Sequence, residues 1–263
     1  MKKIWTVARK EWSEVFRNRL VLFSVAFLPL MLTAMPLVIL SAARGSGDLD
    51  MASMADMPGS FREMCGDLSG GECAQYFFVS QFMLLFMLLP LLIPATIASY
   101  SIVGEKTIRT LEPLLATPIT TLELLSGKAL AAVIPALLAT WGAFAIFAIG
   151  SAIIAVSPAV VARLGDPLWL TAVFVVGPLL ALASVSAAVM ISSRVNDPRV
   201  AEQLSAMVVL PLLALFFGTI SGFIVLNAQL VLWLAAALAV LDAGLIFFAT
   251  QLFQRETILT RWK

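Results

Sequence analysis

GEKTIRTLEPLLATPITTLELLSGK, residues 104–128, is a charged, amphipathic island between two segments of almost unbroken apolar sequence. A chain patterned this way places its apolar segments in a membrane and the island in the water beside it. Within the island Ile108, Leu111, Leu114 and Leu115 fall at i, i+3, i+6 and i+7, so a helix carries them on one face, with Glu105, Arg109 and Glu112 away from it. That pattern predicts a helix that lies flat or docks onto something. Pro113 pushes Glu112 out of the α region and Pro118 ends the next piece, so two short elbowed helices are expected. Thr120 followed by Glu123 reads as a capping box, starting a helix that runs straight into the apolar segment from Ala129.

Composition points the same way. With 61% hydrophobic and 13% charged residues, 263 residues hold too little polar surface to coat a soluble globule. The formal net charge of +1 offers no bulk attraction to nucleic acid. The expected fold is therefore all-α: one polytopic membrane domain over residues 1–263, with six transmembrane helices near 20–43, 76–103, 129–156, 168–192, 204–226 and 230–253. At ~1.5 Å per residue each is long enough for a hydrocarbon layer of ~30 Å. Pro29 and Pro36 are expected to kink the first span, and residues 157–167 and 227–229 to form short connections.

Residues 1–18 carry Lys2, Lys3, Arg9, Lys10 and Arg17 on one side of a helix, with Ile4, Trp5, Ala8, Trp12, Val15 and Phe16 on the other. This reads as an interfacial amphipathic helix; two tryptophans, two glutamates and the lack of a small-residue cleavage site count against a signal peptide. Residues 44–75 set two arginines against six acids and read as an extracytoplasmic loop. Of the 17 lysines and arginines, only Arg44, Arg62 and Arg163 fall on that side, so the charge bias places both termini in the cytoplasm.

The island is similar to the loop between the second and third spans in the permease subunits of type-2 ABC transporters. The residues that carry the likeness are Gly104, Glu105, Thr110, Leu111, Glu112, Leu114, Leu115, Thr117, Pro118, Leu124, Gly127 and Lys128. SRVNDPRVAEQLSAMVVLP, residues 193–211, resembles the loop after the fourth span in the sodium-exporting and copper-enzyme-maturation branches of that family. The resemblance implies that the island holds a coupling helix receiving motion from a separate ATPase, with Glu105, Arg109, Leu111, Glu112, Leu114, Leu115, Thr117 and Pro118 at the contact. It implies as partners two ABC ATPase subunits, a second copy of this permease and membrane lipids, in a prokaryotic inner membrane. No cofactor is expected in this chain, ATP and Mg belonging to the partner ATPase.

LSGGE at residues 68–72 is close to the ABC ATPase signature, but the predicted topology puts it outside the membrane, away from ATP. Gly127-Lys128 lacks the spacing of a P-loop and no Ser or Thr follows it. The LSGGE stretch reads as a flexible turn in a loop. Cys65 and Cys73, the only cysteines, flank it and favour a disulfide-closed hairpin, with two free thiols as the other reading.

The absence of histidine removes Ser-His-Asp, Cys-His and HExxH chemistry, and a metal site is poorly supported. The chain is read as not an enzyme. Asp242, deep in the sixth span, is a candidate for substrate, ion or inter-helix contact, or a packing acid hydrogen-bonded to a neighbouring span. Trp233 and Trp262 read as interface anchors. Gly177, Ala181, Ser184 and Ala188 form a small-residue stripe suited to close helix packing or a dimer seam. Two function classes follow. The first is the permease half of an ATP-driven exporter, with a variant that transmits work to an extracytoplasmic partner. The second is an ATP-independent secondary transporter or assembly factor.

Overall fold

The computed structural model describes residues 2–17, 19–46, 70–107, 119–154 and 158–252, and every regular element among them is a helix. Among the described residues, six stretches are long and apolar enough to cross a membrane: Val21–Ser41, Glu72–Glu105, Thr121–Ile154, Val160–Arg194, Pro198–Ile220 and Ala228–Gln251. The chain is an all-α polytopic membrane protein. α1 (Lys2–Val15) precedes the first span, α2 (Arg19–Ser46), which stays helical through Pro29 and Pro36.

Prolines divide the second span. Pro90 has no N–H to offer the Phe86 carbonyl, so α3 (Gly70–Phe86) stops there. Met87 and Leu88 bond back to Leu84 and Leu85 at 3.0 Å in tightened turns, and α4 (Leu89–Thr107) follows. α3 also takes up Gly70, Gly71 and Glu72 as its first turn, where a flexible loop was the expectation; an acid there suits the positive helix end. The third span is one long helix, α5 (Thr121–Ile154), which starts eight residues before the apolar run because the capping box forms. Thr120 N–H donates to Glu123 Oε2 at 2.9 Å and Glu123 N–H to Thr120 Oγ1 at 3.2 Å.

Where a plain connection was expected, the chain forms α6 (Pro158–Leu164), which opens the fourth span, with proline supplying the pre-set first turn. α7 (Pro167–Thr171) and α8 (Gly177–Arg194) are joined by a π-helical turn over Ala172–Val176. Its cause is local. Gly177 N–H bonds to Ala172, and Pro178 has no N–H to give Val173. The orphaned Val173 carbonyl is taken up by Trp141 Nε1 at 3.3 Å.

The fifth span starts earlier and ends earlier than the apolar run implies. α9 (Pro198–Ser205), capped by Asp197, leads through a 3₁₀ turn at Ala206–Val209 into α10 (Leu210–Ile220). Gly222 at φ 77° then stops the helix in a conformation that suits glycine. Asn227 caps the last helix, α11 (Ala228–Leu252), accepting from Leu230 N–H at 2.7 Å.

α4 and α8 form the most extensively packed pair. Their approach is close because Gly177, Ala181, Ser184 and Ala188 are all buried on α8, and Ser184 donates to the Leu91 carbonyl. The stripe is therefore consumed inside the protomer and is not available as a dimer seam. The span containing α4 is 78% buried within the chain, whereas those of α2, α10 and α11 are 18%, 17% and 17% buried. The second span is thus the hub, and the first, fifth and sixth present apolar surface outward.

Candidate functional site

α1 is amphipathic with one irregularity: its inner face comprises Val7, Ala8, Val15 and, between them, Glu11, which is 1% exposed. An acid inside an apolar stripe must find a partner or be costly. Its partner is Lys128 on α5, whose Nζ lies 2.8 Å from Glu11 Oε1. The same ammonium is 2.8 Å from Glu105 Oε2 and donates to Ser101 Oγ at 2.7 Å, both on α4. A lysine has three N–H donors, and Lys128 has an acceptor within reach of each. The Ser101 hydroxyl donates in turn to Glu11 Oε2 at 2.5 Å, and Lys10 donates to Glu105 Oε1 at 2.6 Å.

Lys10 also lies 3.3 Å from the exposed Glu14, so two lysines face three carboxylates, of which Glu11 and Glu105 are buried. Burial alone would raise the Glu11 carboxyl, but Lys128, the Ser101 hydroxyl and Lys10 hold it below its ordinary value. Burial would lower Lys10, yet the Glu105 hydrogen bond and the surrounding carboxylates hold it above its ordinary value. Both stay ionised at neutral pH.

Close helix approach makes these contacts possible. At Gly127 a Cβ would meet Val7 Cβ at 2.7 Å and the Ile4 carbonyl at 3.0 Å, so only glycine lets α1 lie this near α5. Trp12 Nε1 adds a hydrogen bond to the Ala131 carbonyl at 2.9 Å. The cluster therefore fastens the end of α4 and the start of α5, the two roots of the island, to the N-terminal helix.

The sequence-predicted residues divide unevenly. Glu105 is described, and it is 5% exposed and turned inward to Lys10 and Lys128, where the expectation had it facing away from the apolar side. Burial explains the difference: so close to the hub it is shielded from water and pairs with the cations beside it. Arg109, Leu111, Glu112, Leu114, Leu115, Thr117 and Pro118 lie outside the described residues. So do Cys65 and Trp262, while Cys73 is fully buried in α3 and Trp233 is 69% exposed. Among the described residues no group of His, Cys, Asp or Glu is placed to hold a metal ion.

Sequence reasoning missed Lys10, Glu11 and Ser101. The available signal was Glu11 itself, a charge in register with the apolar stripe of α1. Trp5 in α1 and Phe16 in the turn after it, both assigned to the apolar side, are 53% and 44% exposed.

Residues 193–211, the second distinctive stretch, reach the same hub. Thr96 on α4 donates to Glu202 at 2.9 Å, and the Ser99 and Ser205 hydroxyls lie 3.3 Å apart. Asp242 is separate from this cluster. It is 4% exposed on α11, and neither carboxylate oxygen has a hydrogen-bond partner among the described residues.

No curated protein matches the chain. A comparison with family models matches residues 5–249 to the family described as ABC-2 family transporter protein. That match runs from within α1 to near the end of the sixth span and takes in residues 104–128 and 193–211. The chain therefore belongs to the ABC-2 family of transporter proteins, as a membrane-embedded permease subunit.

Proposed function

We propose that this chain is the permease subunit of an ATP-driven exporter in which two copies work with two separate ATPase subunits. In this reading the island between the second and third spans receives the ATPase's motion. The observation that carries it is the ion cluster. A loop rooted in Glu105 and Lys128, both 2.8 Å apart and both tied to α1, moves with three helices at once. Force applied to the island then reaches the hub span instead of being lost in a flexible connection.

ATP and Mg belong to the partner in this proposal. Lys128, the one lysine that follows a glycine in P-loop fashion, is occupied by two carboxylates and a hydroxyl, so it is not free for phosphate. The charge distribution supports cytoplasmic termini in an inner membrane. The likeness of residues 193–211 supports the sodium-exporting and copper-enzyme-maturation branches. Glu105 serves as a positioning residue for the coupling helix, with Leu114 and Leu115 as its contact.

The test is co-purification from native membranes with mass spectrometry. An ABC ATPase is expected in equal amount with the permease. Replacing Leu114 and Leu115 by Ala removes buried apolar area worth about 1.5–3 kcal/mol per side chain and should release it, with membrane insertion unchanged. Full ATPase retention by the double variant would show that the island is not the coupling contact.

A further inference from the structure

Two cavities of about 310 Å³ each lie between the spans. The lining of the first, among the second, fourth, fifth and sixth spans, carries no hydroxyl. The second lies between α5, α8 and α11, and each of those helices brings one hydroxyl to a wall that is otherwise apolar: Ser126, Ser186 and Thr250. Thr250 gives its proton to the Phe247 carbonyl at 2.8 Å, a bond within its own helix. Ser126 and Ser186 are different. Among the described residues neither hydroxyl has a hydrogen-bond partner, although Ser186 is only 8% exposed. Neither oxygen is closed off as those of Ser151 and Ser192 are, so both stay open to the cavity that their residues line.

This lining sets a chemical requirement. The charges nearest Ser126 along α5 are already occupied: Glu123 caps the helix and pairs with Lys3, and Lys128 is held by Glu11 and Glu105. No charged side chain lines the cavity, Asp242 included. A charged guest would lose its water there and meet no counter-charge. A pure hydrocarbon would fill the space but leave two hydroxyl donors unused. An uncharged lipophile with a carbonyl-type acceptor suits both the walls and the hydroxyls. Leu122, Leu130 and Ile246 line the cavity and are also exposed, so it opens sideways onto the apolar surface of the bundle, from which a lipophile enters. The volume is at the low end for ligand pockets, which favours a compact molecule over a two-chain lipid.

We propose that the cavity between α5, α8 and α11 is a binding site for a compact, uncharged lipophile bearing a hydrogen-bond acceptor of the ketone or ester type, to which the Ser126 and Ser186 hydroxyls donate. The site stands on its own lining and is independent of the exporter reading.

The test is photolabelling of the full-length permease in lipid nanodiscs with benzophenone, a compact neutral ketone, the labelled peptides being located by mass spectrometry. Saturable labelling is expected on the peptides that hold Leu182, Val189 and Ile246. Fluorenone, which has the acceptor, and fluorene, which has the same rings without it, are the competitors. The ratio of their protecting concentrations is compared between wild type and variants, so that partition into lipid cancels. Combining Ser126→Ala with Ser186→Ala should shift that ratio about tenfold against fluorenone. Ala129→Phe, which fills the cavity, should abolish the labelling. The anion 4-benzoylbenzoate should not label these peptides.

An unchanged ratio in the double alanine variant overturns the proposal, as does the absence of saturable labelling on those peptides in wild type. Labelling by 4-benzoylbenzoate as strong as by benzophenone overturns the neutral class. If the double variant does not assemble, Ser126→Ala alone decides: a partial shift against fluorenone supports the site and an unchanged ratio overturns it.

Discussion

Glu11 is the residue on which the cluster turns, because it carries a charge into a face otherwise made of Val7, Ala8 and Val15. Removing one member of a buried ion pair leaves its partner uncompensated. Glu11→Gln should therefore cost about 3 kcal/mol at neutral pH, the low end for such a loss because Lys128 keeps Glu105. Lys3→Ala, which breaks an exposed 3.8 Å pair with Glu123, should change stability by less than about 1 kcal/mol. The Glu11 carboxyl titrates below its ordinary value of 4.5, so its stabilisation is fully present above that pH and is lost as pH falls through the lowered value. Thermal unfolding in detergent should show wild type above Glu11→Gln at pH 7 and the gap closing below about pH 4.5. A gap independent of pH would mean that the charge of Glu11 is not what stabilises α1.

At the scale of elements, breaks in the helices follow from proline's missing N–H, and the tertiary fold repairs what proline leaves open. The Val173 carbonyl, deprived of a donor by Pro178, is met by Trp141 from a different span. Trp141→Phe keeps the ring and removes that donor, which should cost about 1–3 kcal/mol. Pro178→Ala restores an N–H to the π-turn, so the cost of Trp141→Phe should shrink in that background. A double-mutant cycle by thermal unfolding measures the coupling, and additive effects would refute this account of the turn. α1 shows the same division of labour: its helicity is local, while its orientation is set by Gly127, Lys128 and Ser101 on two other helices.

For the whole molecule, the charge bias leads us to propose that the island and both termini are cytoplasmic, and this is open to direct measurement. In a cysteine-labelling experiment on intact cells, Ser46→Cys should react from outside and Thr110→Cys should not; the reverse pattern overturns the sidedness. The unaltered chain should take up no label without reductant if Cys65 and Cys73 form the hairpin, and labelling of both thiols excludes it.

The sequence by itself determined the all-α membrane class, the number of spans and the start of α5, because hydropathy over twenty residues and a capping box are local quantities. It also marked Glu105, Gly127 and Lys128 as members of one distinctive pattern without saying why they belong together. Only the tertiary structure decided that Glu105 and Lys128 are partners, that Glu11 from a helix more than ninety residues away joins them, and that Gly127 is the clearance between helices. Hydropathy does not encode these contacts: the energy of a buried charge depends on what lies within 3 Å of it, and that is set by how three helices cross. The small-residue stripe makes the same point. Its spacing specified a close helix contact, and packing of α8 against α4 decided that the contact lies inside one protomer.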